Sequence, residues 1–263
     1  MFLELIESSL TLCPRPVRAM GFLKEAIGIR RRYRRCWKAW QEHIDRCRDI
    51  IVRGMQRCEH RRKAVILGAG LLHDVPLQEL SESFREVFLV DIVHPFFSRF
   101  RTRKYKTVQR IRADVTNTVE ELYWVGDEPD KPLPQSKPTL FLNDLEVDFT
   151  VSVNLLSQLP CMPLSYLARY RAHPQERREA YARDVIAAHM DYLSKLPGCV
   201  TLITDIERHK IDLTSRVVEN RDLLFGLMLP KTGEEWEWKL APCPEADYRH
   251  HYYRRVVGIA DWK

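Results

Sequence analysis

The chain is poor in the features that mark several large functional classes. Only 10 of its 263 residues are glycine, and no apolar run approaches the roughly 20 residues that a membrane span needs. There is no phosphate-binding loop, no nucleophile elbow and no HExxH helix, so hydrolase and nucleotidase readings have no support in the sequence. The 7 cysteines form no compact framework. Reduced thiols and a cytoplasmic location are therefore expected. Glu4 and Glu7 interrupt the first apolar stretch, which argues against a secretory signal. What remains is a chain with 45% hydrophobic and 30% charged residues, enough to bury one sizeable core. Its net charge of +6 is uneven: residues 1–62 hold 15 Lys/Arg against 7 Asp/Glu, leaving the remainder slightly acidic.

The most informative stretch runs from Lys63 to Pro95, KAVILGAGLLHDVPLQELSESFREVFLVDIVHP. Ala64 to Leu67 is a short apolar run of the kind buried on both faces of a parallel sheet. Gly68, Ala69 and Gly70 follow at once, where the backbone must turn and leave room for a ligand. Pro76 suits a first helical turn, and Leu77, Leu80 and Phe84 supply the apolar face of that helix. Val87 to Val90 forms a second strand that Asp91 closes, with Ile92 beside it. A carboxylate about 20 residues beyond a glycine turn is placed to reach the hydroxyls of a ribose. The dinucleotide fingerprint wants a third glycine, and His73 stands there instead. Asp74, just ahead of the helix, repels a pyrophosphate and attracts an ammonium group.

On these residues the chain resembles the class I S-adenosylmethionine-dependent methyltransferases, whose first motif is a strand followed by G-x-G. The resemblance covers nearly every element from Lys63 to Lys263. It implies a Rossmann-like three-layer αβα sandwich, with a mostly parallel seven-stranded sheet and an antiparallel closing strand. Many members carry an acidic residue in the first strand, where this chain has Val65, Ile66 and Leu67. The resemblance implies that Asp91 binds ribose and that Asp114, ending a third strand over 108–115, meets the adenine amino group with Val115 beside the ring. A turn or helix cap is an equal alternative for Asp114. Asp148 to Val153 reads as a central strand, which places Asn154 near the reacting centre. The cofactor-binding set is thus Gly68, Ala69, Gly70, Asp74, Asp91, Ile92, Asp114, Val115 and Asn154. Cys199 to Asp205 is a further strand, and Trp236 to Leu240 with Tyr248 to Ile259 form the expected closing pair.

Residues 1–62 are read as a helical extension or lid and residues 63–263 as the binding domain. Breaks in the helix are expected near Gly28 and Gly54. Cys36, Cys47 and Cys58 recur every 11 residues and so share one helical face, about 16 Å apart. That spacing suits a buried stripe and excludes one shared metal, and no metal is expected. Arg30, Arg31, Arg32, Arg34 and Arg35 lie beside Tyr33, Trp37 and Trp40; Trp40 and His43 are candidates for a pocket wall. Three functions follow. The first is methyl transfer from S-adenosylmethionine to a small or medium-sized acceptor. The second is a non-catalytic interaction module, engaging RNA through the basic helix. The third, disfavoured by His73, is a nicotinamide-dependent oxidoreductase. The Asn/Asp-Pro-Pro-Tyr/Phe clamp of many amino-group methyltransferases is replaced by Asn154-Leu155-Leu156-Ser157, and no catalytic residue stands out.

Overall fold

The computed structural model describes residues 2–170 and 172–263. Two short helices, α1 (Phe2–Leu10) and α2 (Arg15–Met20), lead into the long α3 (Phe22–Gln56). Four parallel strands follow, β1 (Lys63–Leu67), β2 (Glu86–Asp91), β3 (Val108–Arg112) and β4 (Val147–Val153). Between them lie α4 (Leu77–Ser83), α5 (Ser98–Thr102) and α6 (Val119–Val125). After β4 a 3₁₀ turn over Leu156–Gln158 leads to α7 (Cys161–Tyr170) and α8 (Gln175–Lys195). The chain ends in β5 (Cys199–Asp212), β6 (Val217–Asp222), β7 (Glu234–Ala241) and β8 (His250–Ile259).

The strands form one sheet in the order β3-β2-β1-β4-β5-β8-β7, with β6 paired to the outer part of β5. β1 pairs in parallel with β2 and β4, as do β2 with β3 and β4 with β5; β8 runs antiparallel to both β5 and β7. This is the mostly parallel seven-stranded sheet with a reversed closing strand that the sequence implies, plus one short strand. All seven residues of β4 are buried, as its central place requires. Alternation divides the strands between two apolar layers: Ala64, Ile66, Phe149 and Val151 face α3, while Val65 and Leu67 pack with α7 and α8.

α3 departs from the sequence reading in an instructive way. It does not break at Gly28 or Gly54; its one non-helical residue is Cys36, at φ −108° and ψ 15°. Gly54 is there for proximity. A Cβ at that position would fall 2.0 Å from Thr201 Oγ1 and 3.1 Å from the Phe149 ring, so only glycine lets the helix sit this close to the sheet. Cys36, Cys47 and Cys58 are all buried, as the eleven-residue stripe anticipates. Trp40, Ile44, Ile50 and Ile51 share one apolar cluster with β1, β2 and β4. Burying each such side chain contributes about 1.5–3 kcal/mol. α3, although it precedes the first strand in sequence, therefore shares the core of the sheet. Arg62 fastens the end of this stretch to β4 through Asp148, whose carboxyl is held below its usual range chiefly by that hydrogen bond.

β5 continues well past Asp205, where the sequence reading ends it. A bulge between Asp205 and Glu207 re-aims the strand, and its outer half pairs with the wholly exposed β6. The unbroken polar run from Glu207 to Lys210 hides this continuation from an apolar-run criterion.

Candidate functional site

All nine residues expected to bind the cofactor line one cavity of about 430 Å³ at the carboxyl edge of the parallel strands. That volume lies within the range of pockets for small organic ligands. Its first end is shaped by the glycine loop. Gly68 N–H and Ala69 N–H both donate to Val90 O, at 3.0 and 3.2 Å, pinning the turn to the end of β2. Gly68 has φ +77°, and a Cβ there would lie 2.8 Å from Val153 O. Gly70, at φ +48°, donates its N–H to Asp91 Oδ2 at 2.8 Å; Val93 N–H reaches Asp91 Oδ1 at 3.1 Å. Asp91 is thus aimed by backbone donors into the cavity. Burial pushes its carboxyl above the usual range, against the pull of Val93 N–H, His94 and Gly70 N–H. A carboxylate so stripped of water gains from further donors, such as a pair of sugar hydroxyls.

The loop after Gly70 runs through turns, and α4 begins only at Leu77. The helix thus begins seven residues after Gly70 and not at the glycine turn itself, unlike the helix start that cradles a pyrophosphate in a dinucleotide site. Asp74, Asp91 and Asp114 give this end an acidic lining that suits a cationic ligand. Asp114 also works within the fold, because its carboxylate accepts from Thr116 N–H and Oγ1, Thr118 N–H and Val119 N–H, at 2.6–2.9 Å. These bonds close the turn that starts α6, so both the capping role and the cavity position hold. Val115 is buried and Ile92 half-buried in the same wall.

The other end is assembled from distant segments. Trp40 and His43 of α3 line it, as the sequence suggests, and Trp238 of β7 joins them. His43 stacks on Trp238 with centroids 4.0 Å apart, while Trp40 meets Trp238 edge-on and donates its indole N–H to Leu240 O at 2.9 Å. Asn154 sits at φ +49°, a conformation asparagine tolerates better than most residues. Its N–H donates to Ile203 O at 2.8 Å and its amide Nδ2 to Asp74 Oδ2 at 2.6 Å, tying the two ends together.

His43, Cys47 and Asp74 place one ligand atom each within 4.8 Å of one another, close enough to hold a cation. The protons argue otherwise. Trp236 Nε1–H can only donate, and it points at His43 Nδ1 at 3.1 Å. With Nδ1 accepting that bond, the neutral ring's proton falls on Nε2, which lies 3.5 Å from Cys47 Sγ and 3.2 Å from the Asn154 amide Nδ2. Neither nitrogen keeps a free lone pair for a metal. Burial lowers the His43 pKa to about 3 and pushes the Cys47 thiol well above its ordinary range.

Asp205, Ser157 and Arg254 complete this end. Ser157 Oγ donates to Asp205 Oδ1, and Asp205 Oδ2 lies 3.5 Å from Arg254 Nε. Arg254 Nη1 is buried with no partner among the described residues. Asp205 was findable as an acidic residue at the carboxyl end of a strand; Arg254, on the reversed strand, carries no local signal. His73 lines the cavity, stacked on Tyr33 at 3.6 Å. His94 does not: its Nε2 is 2.9 Å from Ile111 O, and only Pro95 reaches the wall. His250 and His251 are engaged by Asp247 and by Cys243 N–H, away from the cavity.

No family model and no curated protein matches the chain. Among solved structures, it is similar to the 1,6-didemethyltoxoflavin-N1-methyltransferase of Burkholderia thailandensis, at 13% identity over 83% of this chain and 78% of that one, with a TM-score of 0.36. A second is the N-methyltransferase NodS of Bradyrhizobium japonicum WM9, at 10% identity over 81% and 94%, with a TM-score of 0.34. A third is DhpI as a complex with SAH, at 12% identity over 88% and 93%, with a TM-score of 0.37. At such values the likenesses add no argument about activity, and the fold rests on the strand order and directions described above. By those criteria the chain is a Rossmann-like αβα sandwich whose reversed strand β8 closes the sheet, with the short β6 also antiparallel to β5, the architecture implied by its sequence resemblance to the class I S-adenosylmethionine-dependent methyltransferases.

Proposed function

We propose that the protein binds S-adenosylmethionine and transfers its methyl group to a small or medium-sized acceptor. The observation that carries this reading is the continuity of the cavity. Gly68, Gly70, Asp91 and Val115 share it with Trp40, Asn154, Asp205 and Arg254, so two ligands placed at its ends would meet. When bound, the cofactor supplies a methyl group already activated on a sulfonium. Displacement at that carbon needs a positioned nucleophile and exclusion of water more than it needs a base. Asp91 would accept the ribose hydroxyls and Asp74 the ammonium group, while the missing Cβ at Gly70 leaves the approach open. The first half of α3 roofs the cavity with Ala26 and Ile29. His43 is a poor proton acceptor at neutral pH, so its role is to hold Trp238 and Trp236 in place. Asp205 with Ser157 and the unpaired nitrogen of Arg254 would orient a polar acceptor.

Calorimetric titration with S-adenosylhomocysteine, with NAD and NADP as parallel controls, tests the proposal. Stoichiometric micromolar binding of S-adenosylhomocysteine alone is expected. Preferential binding of a nicotinamide cofactor, or of none of the three, would overturn it.

A further inference from the structure

Two stretches of this chain are strongly basic, and the structure treats them differently. In α3, Arg30 pairs with the buried Glu7, and Arg32 and Arg35 both face Glu245. From Ile92 to Ala113 there is no Asp or Glu at all, yet Arg99, Arg101, Arg103, Lys104, Lys106, Arg110 and Arg112 are present. All seven are exposed, and among the described residues none forms an ion pair with a carboxylate. Glu86, on the neighbouring strand, is taken up by the Gln109 amide. Seven like charges left together are costly unless something outside the chain neutralises them.

They also have a shape. Arg99, Phe100, Arg103, Tyr105 and Arg110 line an open groove between α5 and the edge strand β3. Burial, and after it the neighbouring Arg99 charge, lower the Arg110 pKa from its ordinary value, and its guanidinium stays charged at neutral pH. Phe100 is 54% exposed, an unusual place for a large apolar ring flanked by arginines. Lys104 lies over the Tyr105 ring at 4.8 Å. On the same helix, Arg101 donates to Leu71 O at 2.7 Å, so α5 is tied to the segment that follows the glycine loop.

We propose that the α5–β3 edge is a binding groove for single-stranded nucleic acid, with phosphodiesters on Arg99, Arg103 and Arg110 and a base stacked on Phe100. Cations in a row neutralise a repeating anion, and an exposed ring offers a face to any base. An anionic membrane fits less well, because interfacial binding needs a broad apolar face and only one exposed ring is present here. The groove is outside the cavity, so this binding requires neither the cofactor nor the methyl-transfer reading.

The test is fluorescence anisotropy of the full chain with a labelled single-stranded oligonucleotide of roughly 12 nucleotides, titrated across a range of salt concentrations. Binding that weakens linearly with the logarithm of salt is expected. The variant Arg99→Ala/Arg103→Ala/Arg110→Ala should reduce that slope by about 2, at roughly 0.7 per lost phosphate contact. Phe100→Ala should weaken binding about 5- to 150-fold with the slope unchanged. Arg34→Ala/Lys38→Ala, on α3, should bind as the parent does. Circular dichroism establishes that each variant is folded; the substituted side chains are all exposed. Absence of oligonucleotide binding at low salt, a triple variant that binds like the parent, or loss confined to the α3 variant would each overturn the proposal. So would capture by phosphatidylserine vesicles without capture of the oligonucleotide.

Discussion

The two ends of the cavity are built by opposite strategies. At the proposed cofactor end, Gly68, Gly70, Asp74 and Asp91 come from a single strand-turn-helix-strand segment, and backbone N–H groups hold the Asp91 carboxylate. At the proposed acceptor end, Trp40, Ser157, Asp205, Trp238 and Arg254 come from α3, the turn after β4, β5, β7 and β8. The first end has geometry set by a few consecutive residues and can be shared by many proteins. The second exists only when α3, the sheet and the reversed strand are all packed. A change at the first end should therefore act on cofactor affinity with little effect on stability; a change at the second should act on both.

The sharpest attempt to break this contrast is Gly70→Val. A β-branched residue at φ +48° is strained, and its side chain would stand beside Asp91, whose Oδ2 lies 3.9 Å from the added Cβ. S-adenosylhomocysteine affinity should fall by about 100-fold or more, close to 2.7 kcal/mol. A folded variant with parental affinity would remove the glycine loop from the site.

Acid probes both ends next, because buried histidines and buried carboxylates shift in opposite senses. His43 of α3, His73 after the glycine loop and His189, beneath β4, all have pKa values lowered from 6.5 to about 3, chiefly by burial. The unfolded chain therefore binds more protons between these values, and stability is lost as pH falls below about 6.5. Each histidine should contribute about 1.4 kcal/mol per pH unit in that window. Asp74 and Asp91 are raised by burial, so acidification towards their folded values favours the native state. Denaturant titrations at a series of pH values should show the summed slope of the three histidines in the parent and roughly two-thirds of it in His43→Gln. An unchanged slope in the variant would mean that His43 is not held neutral.

Asp91→Ala is the gentler probe of the first end. Losing a charged acceptor for sugar hydroxyls should weaken S-adenosylhomocysteine binding by about 1–3 kcal/mol while the fold is retained. Unchanged affinity would mean that the carboxylate serves only to pin Gly70 and Val93.

How much of this is visible in the residues alone follows from the same contrast. The apolar runs of β1, β2 and β4 and the glycine turn are local signals, and every residue expected from them lines the cavity. The closing pair was legible too, through the aromatic and β-branched residues of β7 and β8. Gly54 misleads as a helix break because close approach to Thr201 and Phe149 is a tertiary fact with no local trace. Arg254 faces Asp205 across the β5–β8 pairing, roughly 50 residues away, and only the register brings them together. Likewise the paired arginines of α3 and the unpaired ones around β3 read alike in sequence. The partner Glu245 lies in the β7–β8 connection, and that placement makes the difference.

Asp114 tests whether the cofactor end is as uniform as its cavity suggests. Like Asp91 it closes a strand and lines the wall, but its oxygens already take four hydrogen bonds from Thr116, Thr118 and Val119. Asp91 takes two backbone donors and keeps more lone-pair capacity for a ligand. In Asp114→Asn one oxygen becomes an amide nitrogen, which cannot accept from the backbone N–H groups that begin α6. The turn should loosen at a cost of about 0.5–2 kcal/mol in unfolding free energy, the usual range for a lost cap. Affinity for S-adenosylhomocysteine should change by less than about fivefold, the equivalent of 1 kcal/mol. If affinity falls as far as in Asp91→Ala while stability holds, the adenine contact outweighs the cap, and the two carboxylates share one role after all.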